Sequence, residues 1–494
     1  MLGFQNDDDY ERATGVLRAA DFTESAIRRT LGREDILSMP TTDVPLVLRR
    51  TSALSPLDTL VRLLFLGVPV PTGALRKALA PMSLDTWVQA GLLHPPDSSD
   101  HVEPRVQFWP IRDLLQAVDL PWRRSTAPGA DFVVPPGPLT LMLANMMIRR
   151  PCERMLDLGA GSGLLAMSAA AHAGTVVATD MNPRAIAFTR FNARLNRIAN
   201  IECHTGDLFE PVAQQRFQLI VCNPPFVISP TQRFLFRDSG QRGDLFCRKL
   251  VPAALAHLES DGFFQFTANV AHRVGHSWKS DLEEWFADLG CEALVLTERT
   301  EDASEYAMTW ILSTETKVPA EVAQRFEAWM EYFERERIEA VSYLFITLRR
   351  SVAGSAWIQI DDPPCRIVGP CGDELLHYFQ CRSAFGSAAG ADDLLGRRLS
   401  LTPQIRMVQE YDSTPVGLEL CHIEVKKTGG LQYPLTMHRN VARLLAGCDG
   451  SRTARDLVED FGRELDIDLD RAIALVLPVV RMLLERSVLV AAED

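Results

Sequence analysis

Residues 155–163 constrain the possible folds of this 494-residue chain more than any other stretch. A short apolar run there ends in three glycines at alternate positions, Gly159, Gly161 and Gly163, and the apolar, helix-forming residues 164–171 follow at once. Glycine adopts backbone angles that a Cβ forbids, and it lets a ligand approach the main chain and the free N–H groups at the start of a helix. The pattern predicts a strand, a tight turn and a helix.

The spacing of the glycines narrows the choice of ligand. A dinucleotide-binding turn has its third glycine where this chain has Leu164, and the turn lacks the Gly-Lys-Ser/Thr sequence of a P-loop. The next apolar, β-branched run ends in Asp180, whose carboxylate is able to accept hydrogen bonds from both hydroxyls of a ribose. Asn182 and Pro183 then supply the cap and the first turn of a helix. The turn alone is equally compatible with a purely structural role.

A second strand end carries residues suited to chemistry. The apolar residues 218–222 precede Asn223, Pro224, Pro225 and Phe226, and the two prolines stop the strand and stiffen the turn. A planar amide or exocyclic amine is a poor nucleophile because its lone pair is delocalised. The Asn223 side-chain oxygen and the Pro224 carbonyl are placed to accept one N–H each, and Phe226 to stack on the flat group, which would orient the lone pair.

Together these motifs resemble the class I S-adenosylmethionine (SAM)-dependent methyltransferases. The resemblance is carried by residues 157–163, Asp180, residues 207–209 and residues 223–226, and it covers about residues 130–350. The Asn-Pro-Pro-Phe loop is similar to that of enzymes that methylate planar nitrogens: the glutamine-N5 methyltransferases of peptide release factors (HemK/PrmC type), adenine-N6 DNA methyltransferases and guanine-N2 ribosomal RNA methyltransferases. The flanking regions resemble those of uncharacterised three-part bacterial methyltransferases.

The resemblance implies a cofactor and its binding residues. It implies SAM as methyl donor, S-adenosylhomocysteine as product, and a hydrogen bond from the adenine amine to Asp207. It also implies that residues 135–140 close the pocket over the methionine end of SAM, with an ordinary linker as the alternative. We expect no metal site. The expected cofactor-binding residues are Asp157, Gly159, Ala160, Gly161, Gly163, Asp180, Met181, Asp207, Leu208 and Asn223.

Strand and helix patterns alternate regularly through the middle of the chain, which indicates a mostly parallel sheet with helices on both faces. We therefore predict an α/β fold with a Rossmann-like, seven-stranded methyltransferase sheet in residues 128–350. Residues 1–127 and 351–494 are predicted to form smaller α+β domains, each with a winged-helix-like segment, and residues 363–429 show no clear pattern. For the polar loop at residues 231–243 two interpretations stay open, a mobile lid and a solvated loop.

The charge balance bears on the methyl acceptor. A net charge of −13 disfavours a broad nucleic-acid groove, since phosphate neutralisation needs clustered Lys and Arg. We expect the acceptor to be a protein or a small molecule, with a nucleobase of RNA or DNA as the alternative. An alternative of another class is a SAM-binding scaffold without activity. The ten cysteines form no Cys-x-x-Cys pair, and no uncharged apolar stretch reaches membrane-spanning length, so we expect reduced thiols, no membrane contact and a cytoplasmic location.

Overall fold

The computed structural model describes residues 2–33, 36, 44–120, 129–241, 243–316, 318–351, 356–362 and 366–492. Contacts divide the chain into two compact units. The first comprises Met1–Ala144, Pro151–Val295 and Thr300–Gln359, and the second comprises the remaining segments, chiefly Ile360–Asp494. The predicted domain boundary at residues 127 and 128 lies outside the described residues. Within the described residues, no helix is long and apolar enough to cross a membrane.

The N-terminal segment, residues 2–120, consists of short helices followed by a β-hairpin. Local capping explains several helix starts: the Asn6 side chain accepts the Asp9 N–H, and Ser55 and Asp58 form a reciprocal capping box. The elements are α1 (Asp7–Ala19), α2 (Glu24–Leu31), α3 (Val44–Arg50), α4 (Pro56–Leu60), α5 (Thr72–Leu79), α6 (Leu84–Gln89), β1 (Val70–Pro71), β2 (His101–Val102), β3 (Val106–Ile111) and β4 (Leu114–Asp119).

The central sheet has eight strands rather than the seven predicted. Its strands are β5 (Cys152–Leu158), β6 (Ala173–Asp180), β7 (Ile201–Thr205), β8 (Phe217–Cys222), β9 (Leu258–Arg273), β10 (Cys291–Asp302), β11 (Ile338–Arg350) and β12 (Trp357–Asp361). Their order is β12-β10-β11-β9-β8-β5-β6-β7. The additional strand, β12, extends the edge beside β10, in a stretch where the sequence periodicity is weak.

Strand directions follow the predicted Rossmann-like arrangement. Strands β5 to β9 pair in parallel, whereas β11 runs antiparallel to β9. The strand order reverses direction between β5 and β8, and ligands of open α/β sheets bind in the crevice beyond the carboxyl ends of the strands at such a point. The glycine turn follows β5 and the Asn-Pro-Pro-Phe loop follows β8, so both lie at this crevice.

The helices that accompany the sheet are α7 (Pro138–Met146), α8 (Leu164–Ala169), α9 (Pro183–Leu195), α10 (Leu245–Ala256), α11 (Trp278–Glu283), α12 (Ala303–Trp310) and α13 (Pro319–Glu336). Pro252 does not break α10, which continues through it. The π-helical turn Ile311–Glu315 continues α12. We call residues 303–336 the α12–α13 segment. It is inserted between β10 and β11.

The N-terminal segment shares its hydrophobic core with the sheet domain. Phe4, Tyr10 and Phe108 form aromatic contacts with Phe191 of α9, with ring centroids 5.5–6.3 Å apart. The Asn192 side-chain oxygen accepts the Ala117 N–H at 2.7 Å. These buried contacts join the two parts of the first unit into one core.

The second unit contains several helices and a long hairpin. Residues 363–429, which showed no clear pattern, include a 14-residue helix and two antiparallel strands, whose register shifts once, between Glu410 and Tyr411. Its elements are α14 (Gly372–Phe385), α15 (Ala388–Gly396), α16 (Arg439–Ala446), α17 (Ala454–Leu465), α18 (Leu469–Glu485), β13 (Arg366–Val368), β14 (Arg398–Leu401), β15 (Ile405–Thr414), β16 (Gly417–Lys427), β17 (Gly430–Gln432), β18 (Leu435–Thr436), β19 (Asp449–Thr453) and β20 (Leu489–Ala491).

Candidate active site

The turn after β5 is held by backbone hydrogen bonds. The N–H groups of Gly159 and Ala160 both donate to the Thr179 carbonyl, at 2.8 and 2.9 Å. Gly159 and Gly161 have φ values of 75° and 56°, and a Cβ added at either would meet no atom within 4 Å. Glycine therefore serves both the backbone angle and the open space above the turn.

The third glycine of the turn has a different purpose. A Cβ at Gly163, where φ is 85°, would approach Thr189 Cγ2 to 2.8 Å. Gly163 caps the N-terminus of α8, so its size allows that helix to pack closely against α9. The first two glycines border open space, and the third secures the packing.

Asp157 is a buried carboxyl at the end of β5. Its Oδ2 accepts the Ala166 N–H at 2.8 Å, while its Oδ1 has no hydrogen-bond partner in the described part of the chain. Burial raises the pKa of Asp157 to about 7, and the nearby Asp180 carboxylate adds to the rise. A buried acceptor without a donor is costly, so this oxygen is suited to a ligand that brings a donor or a positive charge.

Asp180 joins the end of β6 to the glycine turn. Its Oδ2 accepts the Gly161 N–H at 2.9 Å and its Oδ1 accepts the Asn182 N–H at 2.8 Å. Burial raises the pKa of Asp180, and these two backbone hydrogen bonds oppose the rise. Each carboxylate oxygen keeps a further lone pair for a ligand hydroxyl. The next residue, Met181, is 54% exposed.

The loop after β7 lies beside the end of β6. The Thr179 hydroxyl donates to the Leu208 carbonyl at 3.5 Å, and Leu208 has a positive φ of 44°. The Asp207 side chain is exposed, while its carbonyl accepts the Glu210 N–H. The structure thus brings the loops after β5, β6 and β7 to one edge of the sheet, as the sequence predicts.

Both the nitrogen and the oxygen of the Asn223 side-chain amide form hydrogen bonds. Its Nδ2 donates to Thr140 Oγ1 at 2.9 Å, and its Oδ1 accepts from Thr267 Oγ1 at 2.6 Å. Thr140 belongs to residues 135–140, which were expected to cover the cofactor pocket. Thr267 was missed by the sequence analysis. A signal for it exists, because Gln265, Thr267 and Asn269 place buried polar side chains at alternate positions of residues 263–271, the otherwise apolar central part of β9.

Phe226 and Ile228 connect the loop to the α12–α13 segment. Pro224 is buried, Pro225 is half-buried, and the Phe226 ring meets Trp310 edge-on with centroids 6.2 Å apart. The Tyr306 hydroxyl accepts the Ile228 N–H at 3.0 Å and an Asn269 Nδ2 hydrogen at 2.7 Å. The aromatic cluster of the α12–α13 segment therefore packs against the loop that carries Asn223.

Two charged residues of the polar stretch after Phe226, Arg237 and Asp238, have buried side chains, although Gln232 and Arg233 are exposed. Arg237 is fully buried and its guanidinium contacts the carboxylates of Asp238 and Glu315. The solvated-loop interpretation is therefore wrong for Arg237 and Asp238, since a buried guanidinium needs fixed partners. The mobile-lid interpretation of residues 231–243 stays a prediction. Arg242 lies outside the described residues.

Comparisons with known proteins agree with this architecture. Residues 138–294 match the methyltransferase small domain family, and residues 19–104 match a domain of unknown function. Among the relatives is the release factor glutamine methyltransferase of Geobacter sulfurreducens, 36% identical over 156 residues, which are 27% of this chain and 54% of that protein. Another is the ribosomal protein uL3 glutamine methyltransferase of Bradyrhizobium diazoefficiens, 36% identical over 134 residues, 24% of this chain and 42% of the relative.

The likeness to solved structures is more distant. Trm5b from Pyrococcus abyssi is similar with a TM-score of 0.30 and 16% identity, covering 50% of this chain and 56% of that one. The chain spans about half of the curated relative from Geobacter and less of the one from Bradyrhizobium.

The strand order, the glycine turn and the family match identify a class I SAM-dependent methyltransferase domain in this chain. SAM is the methyl donor of this class. The chain's residues fit it: the open space at Gly159 and Gly161 accommodates a ligand close to the backbone, and the buried Asp157 Oδ1 suits a cationic one.

Proposed function

We propose that this protein transfers a methyl group from SAM to a planar nitrogen of its acceptor, foremost a side-chain amide of a protein. One observation carries the proposal: Asn223 is fixed between Thr140 and Thr267 directly beside the glycine turn. Leu158 of β5 pairs with Cys222 of β8. Gly159 and Asn223 directly follow these two residues, so they lie side by side at the ends of neighbouring strands. Neighbouring strands lie about 4.8 Å apart, so both groups reach a single ligand-sized space.

The proposal gives the acidic residues a role on the cofactor side. The remaining lone pairs of Asp180 accept the ribose hydroxyls, the Asp207 carboxylate accepts from the adenine amine, and Met181 and Leu208 flank the nucleoside. Asp157 compensates the positive charge of the bound cofactor, with Gly159, Ala160, Gly161 and Gly163 providing the close backbone approach. Support comes from the three strand ends that the fold brings to one edge.

On the acceptor side, alignment is the main contribution of the protein. SAM supplies an activated methyl group on a sulfonium. The Asn223 oxygen accepts one hydrogen of the acceptor nitrogen through its second lone pair, and the Pro224 carbonyl accepts the other. Pro225 stiffens the loop, and Phe226 supports the planar group. With SAM bound, these contacts would hold the nitrogen lone pair in line with the methyl group at about 3–3.5 Å. The N–C bond would form as the C–S bond breaks, S-adenosylhomocysteine would leave as a neutral thioether, and the nitrogen would then release its proton to water without a dedicated strong base.

A protein amide is favoured among the acceptors for two reasons. The relatives that match this part of the chain bear the names of release factor and ribosomal protein glutamine methyltransferases. The net charge of −13 also disfavours an extended nucleic-acid contact. The Asn-Pro-Pro-Phe sequence, with both ends of the Asn223 amide fixed, supports an active enzyme over a SAM-binding scaffold.

The test is methyl transfer by the purified full-length protein. Tritiated SAM is incubated with purified release factor, with ribosomal protein uL3 and with total RNA in separate reactions. Mass spectrometry then locates the methyl group in any labelled product. A methyl on a glutamine amide nitrogen supports the proposal. Label in RNA alone would move the assignment to a nucleobase, and a methyl on carbon or on a hydroxyl oxygen would overturn it.

A further inference from the structure

We propose that Arg237 is a positioning residue that fastens the acceptor loop, residues 223–240, to the α12–α13 segment, and that this segment thereby sets the place of the methyl acceptor. The inference rests on the proposed function for its catalytic consequence. Its structural part, the anchoring of the loop, stands on the contacts described below.

Every N–H of the Arg237 guanidinium has a partner. Nε donates to Asp238 Oδ1 at 2.7 Å, and Nη2 donates to Asp238 Oδ2 at 3.1 Å and to Thr231 Oγ1 at 3.0 Å. Nη1 donates to Thr314 Oγ1 at 2.7 Å and to Glu315 Oε1 at 3.0 Å. Three of these hydrogen bonds thus go to the acceptor loop, and two go to the π-helical turn Ile311–Glu315 that continues α12. Only a planar guanidinium presents five donors in this geometry.

The acceptor loop is also closed upon itself through Asp238. Its Oδ1 accepts the Ser229 hydroxyl at 2.9 Å, and its Oδ2 accepts the N–H groups of Arg233 and Phe234 at 2.9 and 3.0 Å. The Val227 N–H donates to the Arg237 carbonyl at 3.1 Å. Because Val227 directly follows Phe226, these bonds tie the Asn-Pro-Pro-Phe turn to the buried ion pair.

On the other side, Glu315 connects the anchor to α13. The Trp329 Nε1–H donates to Glu315 Oε1 at 3.1 Å, and Arg325 lies 3.7 Å from the same carboxylate. The rings of Phe234 and Trp329 lie 5.1 and 5.9 Å from the Arg237 guanidinium carbon. One guanidinium therefore links the acceptor loop to both helices of the α12–α13 segment.

Burial makes stability alone a poor explanation for this network. The exposed fractions of the Arg237, Asp238 and Glu315 side chains are 0%, 2% and 3%. The cost of desolvating such charges offsets much of their attraction, and an apolar replacement is often as stable. We therefore assign this network the role of fixing the geometry of the loop. Here the geometry that it defines is that of the loop bearing Asn223 and Phe226.

The chain offers a matched control away from this edge of the sheet. Arg349 of β11 donates to Glu292 at the start of β10, and both side chains are largely buried. Arg349 pairs with Phe263, three residues before Phe266, which pairs with Cys222 at the carboxyl end of β8. Arg349→Lys thus removes a comparable buried guanidinium without touching the acceptor loop.

The experiment compares Arg237→Lys, the milder Glu315→Gln and Arg349→Lys in the full-length protein. Hydrogen exchange followed by mass spectrometry reports the anchoring without any acceptor. Calorimetry measures SAM affinity. The acceptor that the wild-type protein methylates in the transfer assay is the substrate with which kcat and KM are measured. We expect Arg237→Lys to accelerate exchange in residues 223–240 and 303–336 and to lower kcat about tenfold or more, with SAM affinity within about twofold of wild type.

The outcomes separate this inference from the proposed function. Arg349→Lys should lose similar thermal stability while keeping kcat, and Glu315→Gln should fall between wild type and Arg237→Lys. Unchanged exchange in the acceptor loop of Arg237→Lys overturns the inference, as does an equal loss of kcat in Arg349→Lys. A wild-type protein that methylates no acceptor defeats the proposed function, and the exchange result then still decides whether Arg237 anchors the loop.

Discussion

The turn after β5 and the loop after β8 start side by side, yet they are held in opposite ways. The β5 turn depends on its backbone: two N–H groups donate to one carbonyl, and a third donates to Asp180. The β8 loop depends on side chains, with Asn223 held by two threonines and Arg237 held by two carboxylates. The two neighbouring strands are thus followed by loops that are stabilised differently, one mainly by backbone N–H groups and the other by side-chain contacts.

The two regions also differ in how completely their polar groups are satisfied. Asp157 Oδ1 in the β5 turn has no partner among the described residues, while all five Arg237 donors in the β8 loop have one. An unsatisfied buried acceptor suits a ligand that completes it, and a fully satisfied network suits a rigid support. Under the proposed function, the β5 turn would be completed by the cofactor, whereas the β8 loop would be assembled before the acceptor binds.

The largest expected effect concerns the acceptor side. Asn223→Ala removes one acceptor and the restraint on the nitrogen together, so turnover should fall by about a hundredfold or more while SAM affinity stays nearly unchanged. Transfer kinetics and calorimetry measure the two quantities. Asn200→Ala, which removes an amide that bonds the Ala170 and Ala173 carbonyls, is the control and should keep turnover. Near-normal turnover in Asn223→Ala would show that the loop does not align the acceptor.

The next effect concerns the cofactor side. Hydrogen bonds to a charged carboxylate contribute about 1.5–3 kcal/mol, so Asp180→Ala should weaken SAM binding about tenfold or more. Calorimetry measures the change, with thermal unfolding as a check that the turn, which also bonds Asp180, remains folded. The Asn223→Ala protein is the matched comparison, since its affinity should not change. A folded Asp180→Ala protein with wild-type affinity would remove the ribose assignment.

The smallest effect is a pH dependence of SAM binding. Between pH 6 and 8 Asp157 loses its proton, because its pKa is raised to about 7, and its carboxylate then attracts the cationic cofactor. If bound SAM lowers this pKa by about one unit, affinity should rise about fivefold over that range. Calorimetry at both pH values tests this, and Asp157→Asn should remove most of the rise. If the SAM affinity of the wild type and of Asp157→Asn changes equally with pH, Asp157 is excluded as the source of the pH dependence.

The raised pKa of Asp157 also makes the stability of the protein without SAM depend on pH. The pKa of Asp157 is higher in the folded protein, about 7, than its ordinary 3.8, so the folded state binds more protons between these values. Its contribution to stability is therefore greatest at low pH and is lost as the pH rises through about 7. Asp157→Asn should lessen this decline in thermal unfolding temperature.

Much of the fold could be predicted because its signals are local. The apolar strand runs, the helix caps and the proline stops at Asn223-Pro224-Pro225 depend on neighbouring residues, and the structure has strands β5 to β11 where the pattern indicates them. The misses have physical causes. The edge strand β12 and the contact of Thr267 with Asn223 depend on tertiary packing, which local preference does not specify.

By itself, the sequence determined the glycine turn and the strands beside it: the glycines, the strand that precedes them and the carboxylate of Asp180 lie within residues 155–180, and the positive φ angles of the glycines follow from residue type. Only the tertiary structure decided the support of the acceptor side. Thr140 and Thr267 are 83 and 44 residues from Asn223, and Thr314 and Glu315 are 77 and 78 residues from Arg237. A hydrogen bond between such distant residues depends on how the elements pack, which no local pattern specifies.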